Sequence, residues 1–203
     1  MKFSVLRQIM PLSLLTASLL ASTASLAADP HYTSPSENLK NFFGGTWEGS
    51  FQLGYDLPQS SAQLKNAFDW KIGVYHDFGS NMAVEFQYMS TGDFDSEANN
   101  GESASFKTDA YIMSLRGYGK TGPGDVNYFG RLGVAFYDVD FDNGSTVQKG
   151  YDSGETLVLG FGAEKKTNEK TTFTLEIMYF QDLVQSGYVN SINFGIRHAL
   201  AEL

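Results

Sequence analysis

The chain has 203 residues, a net charge of −9 and no cysteine. This length suits one domain, and the acidic balance argues against a nucleic-acid partner. Without cysteine, disulfide scaffolds, thiol catalysis and cysteine-ligated metals are excluded. No run of about 18 apolar residues occurs beyond the N-terminus, so any membrane crossing must use strands.

The N-terminus has the pattern of a secretory signal peptide. Lys2 and Arg7 supply positive charge, residues 12–20 are mostly apolar, and residues 25–27 form a small-x-small cleavage site. We predict a signal peptide over 1–27. A signal-anchor helix is disfavoured because the apolar stretch is short and interrupted by Ser and Thr. Cleavage would remove two of the 14 basic residues and leave all 23 acidic ones, giving a net charge near −11.

Residues 28–44 are predicted to be a periplasmic arm that precedes a barrel domain over 45–203. Ser34, Pro35 and Glu37 have the spacing of a helix capping box. A short amphipathic helix and an irregular arm remain equally open, because isolated helices of this length are marginally stable.

The stretch 46–56 alternates strictly between apolar and polar residues, which is typical of a β-strand with two different environments on its faces. The apolar side has Trp47, Phe51, Leu53 and Tyr55, and the polar side has Glu48, Ser50, Gln52 and Asp56.

Similar alternation recurs in seven later stretches, which gives eight predicted strands. Short links between several of them require antiparallel pairing, and closure of the sheet would remove its exposed edges. The fold class is therefore predicted as all-β, an eight-stranded antiparallel up-and-down transmembrane β-barrel. The later strands are expected at about 68–75, 82–88, 109–118, 126–137, 155–164, 173–179 and 191–200, with short links at 77–81, 120–125 and 166–170 and longer ones at 57–67, 91–105 and 138–153.

Alternation alone does not show whether the apolar face points outward to lipid or inward, as in a soluble ligand-binding barrel. The polar face is rich in small residues, which suits a narrow interior, and long links alternate with short ones as in outer-membrane barrels. Aromatic residues also recur near the strand ends on the apolar face, as at membrane interfaces. We expect interfacial positions for Trp47, Tyr55, Trp70, Tyr88, Tyr128, Phe136, Phe173 and Tyr179.

Each predicted strand contributes one charged residue to the polar face. Unpaired charges inside a narrow barrel would cost several kcal/mol each, so we expect a luminal charge network in which every charge has an opposite charge on at least one adjacent strand. Glu48 is expected to join Lys71 on one side and Arg197 on the other. The complete predicted network is Glu48, Lys71, Glu85, Arg116, Arg131, Glu164, Glu176 and Arg197. Scattered surface charge on a soluble sheet is the alternative.

These features, together with the closing strand 191–197 (SINFGIR), resemble the small outer-membrane barrels of Gram-negative bacteria. That group contains the OmpA transmembrane domain and opacity-type proteins. The resemblance covers residues 45–200 and rests on pattern rather than on a short motif. It implies the cell outer membrane as location, and outer-membrane lipid and lipopolysaccharide as surroundings.

A catalytic or metal site is not indicated. His31 lies in the arm, and His76 and His198 lie at the inner ends of strands, so no histidine base is expected near the extracellular rim. The stretch 138–144 hints at a calcium loop, but its glycine and its twelfth position do not fit the pattern. We predict no cofactor and no metal site.

The function expected from the sequence is non-enzymatic. We expect a structural or adhesion-like surface role for a monomeric barrel with a salt-bridge-plugged lumen. The acidic loops are candidate sites for an extracellular protein or for divalent cations. They contain Asp93, Asp95, Glu97, Glu102, Asp138, Asp140, Asp142 and Asp152. A narrow porin-like channel for small solutes or ions is the alternative, and a lipid-modifying enzyme is a less favoured one.

Overall fold

A computed structural model describes residues 46–59, 64–78, 81–97, 103–119, 126–143, 150–184 and 187–202. The predicted signal peptide and arm lie outside the described residues. Within the described part of the chain, no helix is long and apolar enough to cross a bilayer.

The described chain consists of antiparallel strands whose order follows the sequence. Pairing of β1 with β9 and of β3 with β5 closes the sheet. The predicted eight-stranded antiparallel barrel is therefore confirmed, with β4 as a short addition paired to β5. The strands are β1 (Thr46–Gln59), β2 (Ala67–Asp77), β3 (Met82–Thr91), β4 (Phe94–Glu97), β5 (Ser103–Gly119), β6 (Val126–Asn143), β7 (Gly150–Lys166), β8 (Thr171–Val184) and β9 (Gly187–Glu202).

Burial alternates along the strands in the sense opposite to that of a water-soluble protein. On β1, Leu53 is 56% exposed, whereas the neighbouring Gln52 is only 1% exposed. On β2, Phe68 is 74% exposed and Asp69 is 2% exposed. Apolar side chains therefore cover the outside of the barrel and polar side chains fill much of its interior, as a lipid environment requires.

Compact turns join the strands at one end of the barrel, here named the turn end. Asn81 adopts a left-handed conformation with φ of 59°, which asparagine tolerates better than most residues. The Phe78 amide donates to the Met82 carbonyl over 3.1 Å, and Thr167 donates likewise to Thr171 over 2.9 Å. The opposite end is named the loop end. In outer-membrane barrels, short turns face the periplasm and longer loops face the exterior.

The strands extend further at the loop end than the sequence pattern indicated. The predicted links 91–105 and 138–153 are in large part strand, and β4 lies within the first of them. Phe94 on β4 is fully buried and its ring stacks on that of Phe106, with centroids 5.2 Å apart. The predicted boundaries were wrong here because the alternation continues through acidic residues that resemble loop composition.

The interior is not polar throughout. An apolar cluster fills part of its loop half and extends over strands from β3 to β9. All of its positions except Leu183 share the inward parity of the charged residues, so alternation placed them inside without indicating that they pack together. Leu183 follows a register shift between Phe180 and Val184 on β8. The cluster comprises Met89, Ala110, Ile112, Ala135, Val158, Met178, Phe180, Leu183 and Val189.

Candidate functional site: the charged interior of the barrel

Arg131 on β6 lies at the centre of the barrel interior. Its guanidinium nitrogens lie 2.6 and 2.8 Å from the two carboxylate oxygens of Glu176 on β8, and 2.8 Å from Glu85 on β3. It also donates to Gln87 over 2.7 Å. Neither β3 nor β8 is paired with β6, so these contacts cross the interior instead of following the wall.

Arg116 on β5 is the second cation of this centre. Its nitrogen atom Nη2 lies 2.7 Å from Glu85 and 3.3 Å from Glu176. Arg116 and Arg131 occupy directly opposite positions on β5 and β6, an arrangement that would be destabilising for like charges alone. Because both arginines contact the same two carboxylates, each positive charge is balanced by Glu85 on β3 and by Glu176 on β8, and only the Arg116–Glu85 contact joins paired strands.

A third arginine extends the network to the turn end. Arg197 contacts Glu48 at 3.0 Å and Glu164 at 2.8 Å, and it donates to the Tyr118 hydroxyl over 3.1 Å. Its guanidinium also lies 3.8 Å from the centre of the Tyr75 ring, close enough for a cation–π interaction. The predicted pairing of Glu48 with Arg197 across the closing seam is therefore made.

Gly160 on β7 makes the central contacts possible. A Cβ atom at this position would lie 2.6 Å from Oε1 of Glu176 and 3.1 Å from the Arg131 side chain. Gly160 is the register partner of Arg131 on β7 and has no side chain. The Arg131 side chain can therefore extend past β7 to reach Glu176 on β8.

Lys71 does not join this network. Its position is opposite Gln52, four residues along β1 from Glu48, which is itself opposite Tyr75. The predicted pairing of Glu48 with Lys71 was wrong because it considered strand adjacency without the register. Lys71 instead lies 2.5 Å from a carboxylate oxygen of Asp69.

Asp69 and Asp56 are interior charges that the prediction omitted. Both side chains are buried, at 2% and 0% exposure, and both have the inward parity of their strands. The prediction assigned one interior charge to each strand, Glu48 to β1 and Lys71 to β2. It therefore overlooked these two carboxylates, although the same alternation places them inside. We define the Lys71 cluster as Asp56, Asp69, Lys71, Ser191 and Asn193.

The predicted interfacial aromatics lie on the outward parity of their strands, and all of them except Phe136 form ring contacts with neighbours among the described residues. Near the loop end, Trp70 contacts Tyr88, and Tyr88 contacts Tyr111, with centroids 5.5 and 5.4 Å apart. Tyr111 is in turn opposite Phe136. Further loop-end contacts join Tyr55 to Phe68 and Tyr179 to Tyr188, and turn-end contacts join Trp47 to His76, Tyr128 to Phe161 and Phe173 to Phe194.

A family model described as the outer membrane protein beta-barrel domain matches residues 13–197 of this chain. The chain belongs to this family of outer-membrane β-barrels. The structures of several small barrels are similar to it, although the sequence identities are low. A comparison with curated protein sequences finds no match.

Three solved structures illustrate the likeness to other outer-membrane proteins. Neisserial surface protein A has a TM-score of 0.62 and 11% identity, over 76% of this chain and 97% of that one. OprG from Pseudomonas aeruginosa has a TM-score of 0.56 and 14% identity, over 77% and 97%. The attachment invasion locus protein of Yersinia pestis has a TM-score of 0.54 and 14% identity, over 76% and 97%. At these identities the likeness concerns the fold.

Membership of the outer-membrane β-barrel family places the chain in the outer membrane. The outward apolar face is then in contact with lipid. The interior charges are enclosed by a wall whose outer surface is apolar. An unpaired charge in such an interior is costly.

A polar cavity of about 320 Å³ opens at the turn end of this outer-membrane barrel. Its inner wall includes Glu48, Glu164 and Arg197, the outermost part of the charge network, and it also includes Asp77 and Lys166 near the turns.

The described residues contain no cluster of three or more His, Asp or Glu side chains suited to a metal ion. His76 stacks on Trp47, and His198 lies 3.2 Å from the Thr171 hydroxyl. Both histidines are thus at the turn end, remote from the loop-end rim. His31 lies outside the described residues.

Proposed function

We propose that this outer-membrane barrel is a non-enzymatic, monomeric surface protein whose interior is plugged by the charge network. The contact of Arg131 with Glu85 and Glu176 is the observation that supports it most directly. These ion pairs join strands that are not neighbours, so side chains occupy the centre of the barrel. Buried charges held by several partners resist displacement, because separating them leaves an uncompensated charge.

The proposal includes export by the signal peptide 1–27 and a periplasmic arm over 28–44. Lipid and lipopolysaccharide would surround the outward face. Aromatic contacts near both ends of the barrel support a fixed depth in the bilayer, because such rings favour the membrane interface.

Surface interaction would take place at the loop end. Asp93, Asp95, Asp138 and Asp140 have exposed side chains there. The attachment invasion locus protein of Yersinia pestis has been crystallised with sucrose octasulfate, an analogue of heparin. A polyanion of that kind would be repelled by this acidic surface. We therefore propose a basic extracellular protein, or divalent cations, as the partner of these loops.

A narrow channel for small solutes or ions is the second candidate. The observation that favours it is the polar cavity of about 320 Å³ at the turn end, which brings solvent to the edge of the network. Displacement of the central side chains would then open a continuous path.

Planar-bilayer recordings on the purified full-length protein distinguish the two candidates. A plugged barrel should show no stable unitary conductance, whereas Arg131→Ala and Glu85→Ala should conduct, because each removes part of the central plug. Lys107→Ala is a matched control, since Lys107 is exposed on β5 outside the network. Stable large channels from the unmodified protein would overturn the plugged barrel and favour the pore.

Heat-modifiable migration on a gel should accompany each recording to show that the variant has folded as a barrel. An unchanged lipid A mass in cells that express the protein is the expected result for a non-enzymatic role. A change in that mass would instead support a lipid-modifying enzyme.

A further inference from the structure

The Lys71 cluster lies on the inner wall formed by β2, β1 and β9. The Lys71 ammonium is 2.5 Å from Asp69 Oδ1 and 2.5 Å from Asn193 Oδ1. Ser191 donates its hydroxyl to Asp69 Oδ2 over 2.8 Å. Asp56 is directly opposite Ser191 across the β1–β9 pair, so its carboxylate projects into the same group.

The charges of this cluster do not balance. Two carboxylates face one ammonium, and Lys71 donates to Asp69 and to Asn193. Asp56 has 0% exposure, and neither of its carboxylate oxygens has a hydrogen-bond partner among the described residues. A buried carboxylate without such partners is strongly unfavourable, and either a bound positive charge or a proton relieves it.

Gly54 shapes the floor of the cluster. It is opposite Asp69 on β2 and opposite Asn193 on β9. A Cβ atom at this position would collide with Oδ2 of Asp69 and with Oδ1 of Asn193. Because Gly54 has no side chain, these two oxygens can lie above β1, on the inward face that also carries Asp56.

We propose that the Lys71 cluster binds one small monovalent cation between Asp56 and Asp69, with the Ser191 hydroxyl as a further oxygen ligand. Asp56 is directly opposite Ser191 on β9, and Asp69 on β2 is opposite Gly54, which lies two residues from Asp56 on the same face of β1. Oxygen ligands suit hard cations, whereas transition metals favour nitrogen or sulfur ligands. One positive charge balances the excess carboxylate, and a divalent ion would leave an uncompensated positive charge in a buried site.

Thermal unfolding of the full-length protein in detergent micelles tests this cation site. The midpoint is measured in sodium chloride and in choline chloride at equal ionic strength, because choline is too large for the cluster. A ligand that binds only the folded state raises the midpoint. At a sodium concentration about five times the dissociation constant, we expect a rise of roughly 2–4 °C for a chain of this size.

Asp56→Asn should abolish this sodium dependence and leave a folded barrel, since the amide keeps the shape of the side chain and removes the excess charge. Glu169→Gln is the matched control, because Glu169 lies between β7 and β8 at the turn end and outside every proposed site. It removes the same charge from an exposed side chain and should keep the full response. Gly54→Ala should reduce the response while every charge of the cluster remains.

Sodium-23 NMR linewidths give a reading independent of unfolding. Broadening that requires Asp56 supports the site. The proposal is overturned if the unmodified protein has the same midpoint in both salts, or if Asp56→Asn responds to sodium as the control does. A midpoint that follows pH or calcium but not sodium also overturns it, because a proton or a divalent ion would then be the occupant.

Discussion

Two parts of the barrel interior are filled in different ways. Around Arg131, charged side chains meet across the barrel, and several of them share partners. Around Met178 and Phe180, the apolar cluster fills the interior without any charge. Both regions are built by side chains of the same inward parity, so filling a narrow barrel depends on side-chain volume as well as on polarity.

Loss of one side chain should destabilise the charged centre and the apolar cluster for different reasons. In the charged centre, removal of one partner leaves other charges buried without compensation. In the apolar cluster, the same kind of truncation leaves a void whose cost grows with its volume. At the turn end, solvent reaches the network, and the cost of losing a charge should decrease.

The largest effect is expected from Arg131→Ala, which leaves Glu85 and Glu176 with less compensation. We expect a loss of about 3–5 kcal/mol in the free energy of unfolding, the usual cost of breaking a buried pair. Urea titration of the folded barrel in lipid vesicles measures it. Lys107→Ala, at an exposed position, should change this free energy by about 0.5 kcal/mol or less. Equal losses in the two variants would contradict a desolvated centre.

A somewhat smaller effect is expected from Met178→Ala in the apolar cluster, where the side chain is fully buried. Truncation of a buried methionine costs about 2–5 kcal/mol, and the void should not conduct ions because its lining is apolar. Met113→Ala is the control, since Met113 has the outward parity of β5 and is only half-buried. Urea titration and bilayer recording are made on both variants. Ion conduction by Met178→Ala would show that this cluster also blocks the permeation path.

The smallest effect is expected from Glu48→Gln at the turn end. The Glu48 side chain is 15% exposed, whereas that of Arg131 is fully buried. Ion pairs that water reaches contribute about 0–1 kcal/mol, so the same titration should detect little change. A loss as large as that of Arg131→Ala would mean that the rim of the network is as dry as its centre.

The sequence predicted the barrel well because an eight-strand wall with lipid outside and a narrow interior imposes a two-residue period on every strand. Strand ends were predicted less well. At the loop end, strands leave the bilayer and their outward residues become polar, so β5, β6 and β7 continue through stretches that resemble loops. The missed strand β4 lies in one of these stretches.

The sequence predicted which charged residues lie in the interior better than it predicted which of them form pairs. Parity placed Glu85, Arg116 and Arg131 inside, and the same parity could have added Asp56 and Asp69. The partners of Arg131 could not be read from neighbouring strands, because they lie on β3 and β8. The Lys71 cluster was not predicted, because Lys71 had been paired with Glu48 and no other partner was considered for it.

By itself, the sequence determined which face of the wall each side chain occupies, because that depends only on local alternation. Tertiary structure alone decided which charges meet. Closure of the barrel brings strands distant in the chain within reach of one another, and the register between strands sets the height of each side chain. Glycines such as Gly160 then decide where a long side chain can cross the interior. Barrel closure, strand register and the space beside each glycine depend on how all the strands are assembled, so the sequence of a single strand does not reveal them.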